Sequence, residues 1–164
     1  MEGKGSVRET FDEGAQTVEF AFVIIPLLAF VFLIIDIGWM IFAKATLQEA
    51  VREGVRYGVT GQVMGGQAGV SSSVRQVVMQ YAGGFIPSGN AQTDISVQFY
   101  SASTLSPVTG PASCAGGNVM TVSISGVSVN PLAAIVFSNT PLTLSATSSD
   151  VIESSPNGIV PSCN

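Results

Sequence analysis

One long apolar run near the N-terminus constrains this chain more than any other feature of its sequence. The 24 residues from Phe20 to Ala43 include one charged residue, Asp36, and one proline, Pro26. A helix needs about 20 apolar residues, at about 1.5 Å of rise each, to cross the hydrocarbon core of a bilayer. The run therefore predicts a membrane-spanning helix.

A cleaved secretory signal peptide is the alternative interpretation of this run. Ala43, Lys44 and Ala45 have the small-x-small form that signal peptidases recognise. The apolar region of a signal peptide is usually about 7 to 15 residues long. Because this run is longer and contains Asp36, its length favours the spanning helix.

The helical pattern continues beyond the apolar run and becomes amphipathic. Apolar and small residues recur at steps of three and four, on a face made of Met40, Ala43, Leu47, Ala50, Val51, Gly54 and Gly58. The opposite face is polar and includes Lys44, Gln48, Glu49, Arg52, Glu53 and Arg56. This periodicity predicts one helix from about Thr17 to Tyr57, with a solvated charged face on its C-terminal half.

The chain after Thr60 predicts a small domain, which makes the fold class α+β. A glycine-rich loop covers residues 61–69. Ser71 to Ser73 then N-cap a short helix that ends at Gly83.

An alternating pattern in the rest of the domain predicts an antiparallel sheet. Apolar residues alternate with polar ones at 95–99, 120–129 and 142–146, and alternation of this kind is typical of half-buried strands. The phase slips at Gly126, which predicts a bulge or turn. Residues 131–137 predict a short helix or a buried turn.

The composition excludes most catalytic and metal chemistry. The 164 residues contain no histidine, 2 cysteines and 6 basic residues. A Ser-His-Asp or Cys-His arrangement would lack its base, and a zinc site needs three or four nitrogen or sulfur ligands. We therefore predict no catalytic residue, no metal and no cofactor.

The sequence gives no support for binding to nucleic acid, and for binding to carbohydrate it offers only scattered aromatic residues. No cluster of lysine and arginine with interleaved aromatic residues is available to contact phosphates. The acidic residues Asp94, Asp150 and Glu153 are too isolated to nominate as a catalytic group. We interpret Tyr81, Phe99 and Tyr100 as core residues rather than as a platform for stacking sugars.

The two cysteines, Cys114 and Cys163, both follow the apolar run. They predict a disulfide bond if the domain lies outside the cytoplasm, and two free buried thiols are the alternative. A disulfide would place the domain in an oxidising compartment. The N-terminus would then be cytoplasmic.

The two carboxylates of the apolar helix raise separate questions. Glu19 lies at its leading edge, where it is either an assembly contact or an interfacial carboxylate that reaches the lipid headgroups. Asp36 lies far enough along the helix to reach the opposite interface. Its alternative role is a polar contact with a packed helix or an assembly protein.

These residues resemble the TadE-like family, minor pseudopilins of the tight-adherence (Tad, or Flp) pilus system. The resemblance begins at the Gly14-Ala15 step with Glu19 and Phe20 and continues through the apolar run. It includes Asp36-Ile37-Gly38 and the segment from Ala50 to Tyr57. Residues 142–146 and Glu153 resemble the end of the same domain.

The resemblance implies cleavage by a prepilin peptidase after Gly14, which would make Ala15 the new N-terminus and Glu19 the fifth mature residue. In pilin assemblies such a carboxylate pairs with the free α-amino group of a neighbouring subunit. Many prepilin leaders have lysine or arginine directly before the glycine. This chain departs from them at Glu13.

The function expected from the resemblance is structural. The predicted regions are a cytoplasmic leader at 1–14, a transmembrane and amphipathic helix at 15–60, and a periplasmic domain at 61–164. The expected location is the bacterial inner membrane, with lipid, a prepilin peptidase, other pilins or pseudopilins and inner-membrane assembly proteins as partners. An anchored periplasmic ligand-binding domain is the alternative, and a tethered enzyme is a weaker one.

Overall fold

The computed structural model of the protein describes residues 6–130, 141–154, 158 and 160–163, with the backbone alone for residues 6–13. The helix or turn predicted at residues 131–137 lies outside the described part of the chain. The described residues divide into two units. One contains residues 6–39 and 130, and the other contains residues 40–129 and those from 141 onward.

The first long element is helix α1, Ser6–Val59, which contains Pro26. Its apolar section meets the length and hydropathy required of a membrane span, within Gly14–Val59. The helix begins earlier than the predicted start at Thr17. That prediction relied on apolar periodicity, which the polar N-terminal residues lack, whereas Arg8, Glu9 and Glu13 are favourable helix residues.

The second unit contains the remaining helices of the described chain. Helix α2 is Val70–Tyr81 and helix α3 is the single turn Ala91–Asp94. Short 3₁₀ turns occur at Ser88–Asn90 and Pro111–Cys114. The short helix predicted from the sequence is confirmed as α2.

The predicted cap of α2 is wrong in detail. The N-cap residue is Gly69, and the serines lie within the first turn. The hydroxyl of Ser72 accepts from the Gly69 N–H at 3.1 Å, while the hydroxyl of Ser73 donates to the Gly69 carbonyl at 2.8 Å. The serines therefore stabilise the helix start from inside the helix.

Three antiparallel strands form one sheet in the order β1-β2-β3: Ile95–Tyr100, Val119–Val129 and Leu142–Val151. Ile95 pairs with Ile124, which pairs with Ala146, so three buried side chains form one row across the sheet. The register of β2 against β3 shifts between Ile124 and Val127. The predicted phase slip at Gly126 is therefore confirmed as a bulge.

The core of the second unit lies between the sheet, helix α2 and the C-terminal half of helix α1. The predicted face of α1 contributes fully buried side chains at Ala43, Leu47 and Ala50. The core cluster also contains Val51, Val55, Val74, Val78, Phe99, Met120 and Val122. The C-terminal half of α1 is therefore part of the small domain.

Candidate processing and assembly segment

The predicted processing and assembly residues lie close together on α1. Gly14, Ala15, Glu19 and Phe20 are all exposed, and a Cβ atom added at Gly14 would have no contact within 4 Å among the residues that the structure describes. Residues four apart lie on one helix face, one turn after the other. Ala15 and Glu19 thus share an accessible face, which a second protein can approach.

The apolar section of α1 presents its large side chains outward. Phe22 is 76% exposed, and Phe30 and Ile41 are also exposed. Side chains of this kind are suited to lipid or to neighbouring transmembrane helices. They are consistent with a single-pass membrane anchor.

Asp36 is the exception on this section of α1. Its side chain is 3% exposed, and it is the one buried residue among the described residues 14–42. Its neighbours Ile35 and Ile37 are exposed. A buried carboxylate has to be compensated by a polar contact, and Asp36 has one within the chain. The predicted contact with a packed helix or an assembly protein stays a prediction.

The two carboxylates do not form one site. Glu19 and Asp36 are separated by about 25 Å along α1, from the helical rise per residue. Glu19 is exposed whereas Asp36 is buried. Each carboxylate therefore needs its own explanation.

The three acidic residues that the sequence left isolated, Asp94, Asp150 and Glu153, each have different surroundings in the structure. Asp94 accepts a hydrogen bond from the Thr93 hydroxyl at 2.9 Å, and Asp150 accepts from the Val151 N–H at 2.7 Å. Glu153 lines an open cavity of about 430 Å³. Within the part of the chain that the structure describes, no three His, Cys, Asp or Glu side chains form a group that could hold a metal ion.

Of the three aromatic residues predicted to lie in the core, one does. Phe99 is buried in the core. Tyr81, at the end of α2, is 50% exposed, so its assignment to the core is wrong. Tyr100 is half-buried, outside the buried core, and its hydroxyl donates to the Gln98 amide oxygen at 2.6 Å.

The two cysteines form a disulfide bond between Cys114 and Cys163, as one of the two interpretations predicted. Both residues are buried. The bond fixes the described C-terminal residues against the turn that precedes β2.

The glycines on the buried face of α1 have a packing role that was not predicted. A Cβ atom at Gly58 would come within 2.7 Å of Val74 on α2 and within 2.6 Å of Met120 on β2. The two glycines at 54 and 58 therefore let α2 and the sheet approach the α1 backbone closely. Their four-residue spacing was the available signal, because small residues at that spacing lie on one face.

Comparison with protein families gives a match at the segment that carries these features. The family model described as TadE-like protein matches residues 14–56. Over this segment the chain is similar to the TadE-like family. The resemblance predicted from Gly14, Glu19 and Asp36 is confirmed there, while the resemblance of residues 142–146 and Glu153 lies outside the match and stays a prediction.

The TadE-like family is a structural family associated with pili. The matched segment includes the apolar section of α1 and most of the helix face that packs in the domain core. The comparisons with curated proteins and with solved structures found no match.

Proposed function

We propose that this TadE-like chain is a minor pseudopilin-like structural subunit of a tight-adherence pilus assembly system. A prepilin peptidase cleaves it after Gly14, and the mature subunit assembles through its N-terminal helix. The observation that carries the proposal is the start of the TadE-like match at Gly14, with an exposed Glu19 five residues further on.

The charge on Glu19 supplies the physical reason for assembly through this segment. A carboxylate in a membrane-spanning helix costs about 2.5 to 3.5 kcal/mol at the helix centre, and less near an interface. Cleavage after Gly14 would create an α-amino group on Ala15, and this group on a neighbouring subunit is the cation that offsets the cost. Pairing between subunits would also fix the register of their helices.

Processing requires access to a bond that lies inside α1. Gly14 is exposed and has no side chain, so a protease cleft can approach the backbone closely. Glycine also weakens a helix by about 1 kcal/mol relative to alanine. Local unwinding at Gly14 would therefore be easier than at the residues around it.

The disulfide and the apolar section of α1 support the proposed topology. The subunit crosses the bacterial inner membrane once, with its N-terminus in the cytoplasm. The Cys114–Cys163 bond supports a periplasmic location for the domain, because disulfides persist in oxidising compartments. The proposed partners are a prepilin peptidase, other pilins or pseudopilins and the inner-membrane assembly proteins.

Substitution of Glu19 tests the assembly role. We expect Glu19→Leu to insert in the membrane and to keep the thermal stability of the wild-type chain, because Glu19 is exposed. Pilus assembly and surface adherence should be lost, because the α-amino group has no partner. Cell fractionation, thermal denaturation and electron microscopy of pili measure the three properties.

The matched control is Glu49→Leu, which removes an exposed carboxylate from the C-terminal half of the same helix. It should leave pili intact. Wild-type piliation in Glu19→Leu would contradict the proposed role. A ligand-binding function would instead make Glu19 irrelevant and the loop residues of the domain decisive.

A further inference from the structure

The first amides of α2 are capped by the C-terminal residues 160–163, which we call the tail. The Val70 N–H donates to the Ser162 carbonyl at 2.8 Å, and the Ser71 N–H donates to the Cys163 carbonyl at 3.2 Å. The first turn of a helix leaves N–H groups without partners in the helix, and a side chain just before the helix usually accepts from them. Gly69 has no side chain, so the tail supplies the acceptors here.

Further contacts place the tail along the loop between α1 and α2. The Ser162 hydroxyl donates to the Ala68 carbonyl at 3.3 Å. Pro161 lies against Gly61, where an added Cβ atom would come within 3.1 Å of its ring. Just after β3, the Glu153 N–H donates to the carbonyl of Val59, the last residue of α1, at 3.0 Å. Residues that follow β3 thus contact the end of α1 through Glu153 and the start of α2 through Ser162 and Cys163.

The disulfide holds the tail in this position. Cys163 is bonded to Cys114, 49 residues earlier in the chain, and the two are 5% and 2% exposed. Cys163 also provides one of the two capping carbonyls. Reduction would therefore release the residue that both fixes the tail and caps the helix.

We propose that the Cys114–Cys163 bond is a redox-controlled latch for α2. When the bond is formed, the tail carbonyls cap the first turn of α2 and hold this end of the helix in the domain core. When an external dithiol reduces the bond to two thiols and is itself oxidised to a disulfide, the tail separates and the first turn of α2 frays. This proposal rests on the domain contacts alone and does not depend on the pilus function.

The burial of both sulfur atoms sets the order of events. Thiol–disulfide exchange requires that one thiolate reach the disulfide of an oxidant. Both cysteines are covered while the tail is docked, so an external thiol or disulfide reacts with them only during transient undocking of the tail. An external protein disulfide would accept two electrons and become two thiols, the two cysteines would lose two protons, and one S–S bond would form.

Amide hydrogen exchange on the full-length chain in detergent micelles tests the latch. We expect reduction with dithiothreitol, or Cys114→Ser combined with Cys163→Ser, to accelerate exchange at Val70 and Ser71 by about tenfold or more, because each amide loses its acceptor. The Ala82 amide, which donates to Val78 at the other end of α2, is the internal reference. Its exchange should change much less.

Ser103→Ala is the matched control, because it removes an exposed serine hydroxyl that bonds to Ser101 rather than to residues 160–163. Its exchange at Val70 and Ser71 should equal that of the oxidised wild type. Unchanged exchange at these amides in fully reduced protein would overturn the proposal. Equal loss of protection at the β2 amides would also overturn it, because the bond would then hold the whole domain rather than the tail.

Discussion

Glu19 and Asp36 are both carboxylates on the same apolar helix section, but their environments differ. Glu19 is exposed at the start of the TadE-like segment, while Asp36 is buried further along it. An exposed carboxylate suits a contact made with another molecule. A buried one has to be compensated by a contact within the folded chain, because an uncompensated charge in an apolar setting is unstable.

The burial of Asp36 predicts a stabilising role. Asp36→Ala should lower the stability of the protein in detergent by about 1 to 3 kcal/mol, because the groups that face the carboxylate lose their partner. Asp36→Asn should be milder, since an amide keeps part of the hydrogen bonding. Thermal denaturation in micelles measures both. Ile37→Ala is the control because Ile37 is exposed, and an equal loss in that variant would contradict a specific polar contact at Asp36.

The close packing around Gly58 predicts that a larger side chain there will destabilise the domain. Gly58→Val should destabilise the domain by about 1 to 3 kcal/mol, the usual cost of overfilling a packed core. Val74 and Met120 occupy the space that the new side chain needs. Chemical denaturation followed by circular dichroism measures the loss. Gly38→Val lies in the same helix, where an added Cβ atom has no contact within 4 Å among the described residues. It should have little effect, and equal losses would disprove the packing argument.

Among the helices and strands, α1 has two kinds of surface. The apolar side chains of its N-terminal section are exposed, and those of its C-terminal section are buried in the domain core. Sequence periodicity predicted the second surface correctly, from Ala43 to Gly58, because a 3.6-residue period records which side of a helix faces a core. The strands were predictable for the same reason, with a period of two.

The bulge in β2 makes a prediction at Gly126. This residue has a φ of 80°, which costs an L-residue with a side chain roughly 1 to 2 kcal/mol. Gly126→Ala should lower the melting temperature of the domain through this backbone strain, since no atom of the described residues lies within 4 Å of a Cβ added there. Calorimetry provides the measurement. Gly65→Ala is a control in a loop without a positive φ, and a melting temperature equal to that of Gly65→Ala would contradict the strain.

The features that sequence analysis missed depend on contacts between distant residues. The tail that caps α2 is formed by Ser162 and Cys163, more than 90 residues from the amides that they accept from, and no local pattern records this pairing. The burial of Asp36 and the exposure of Tyr81 are likewise set by what packs nearby. The candidate segment itself was predictable, because Gly14, Glu19 and the apolar run are adjacent in sequence.

For the molecule in its cell, the proposal assigns different tasks to the two units. The apolar section of α1 would anchor the chain and carry the assembly contact of Glu19. The domain would present its surface to partners in the periplasm, with the Cys114–Cys163 bond securing its C-terminal tail. The assembly contact of Glu19 depends on a mature N-terminus at Ala15.

Mass spectrometry of the intact protein purified from membranes tests that requirement most directly. In cells that contain an active prepilin peptidase, we expect a chain that begins at Ala15. Cells without the peptidase, and cells that express Gly14→Val, should yield the chain that begins at Met1. A uniformly intact Met1 form in peptidase-containing cells would contradict the proposed processing, and with it assembly through the α-amino group of Ala15.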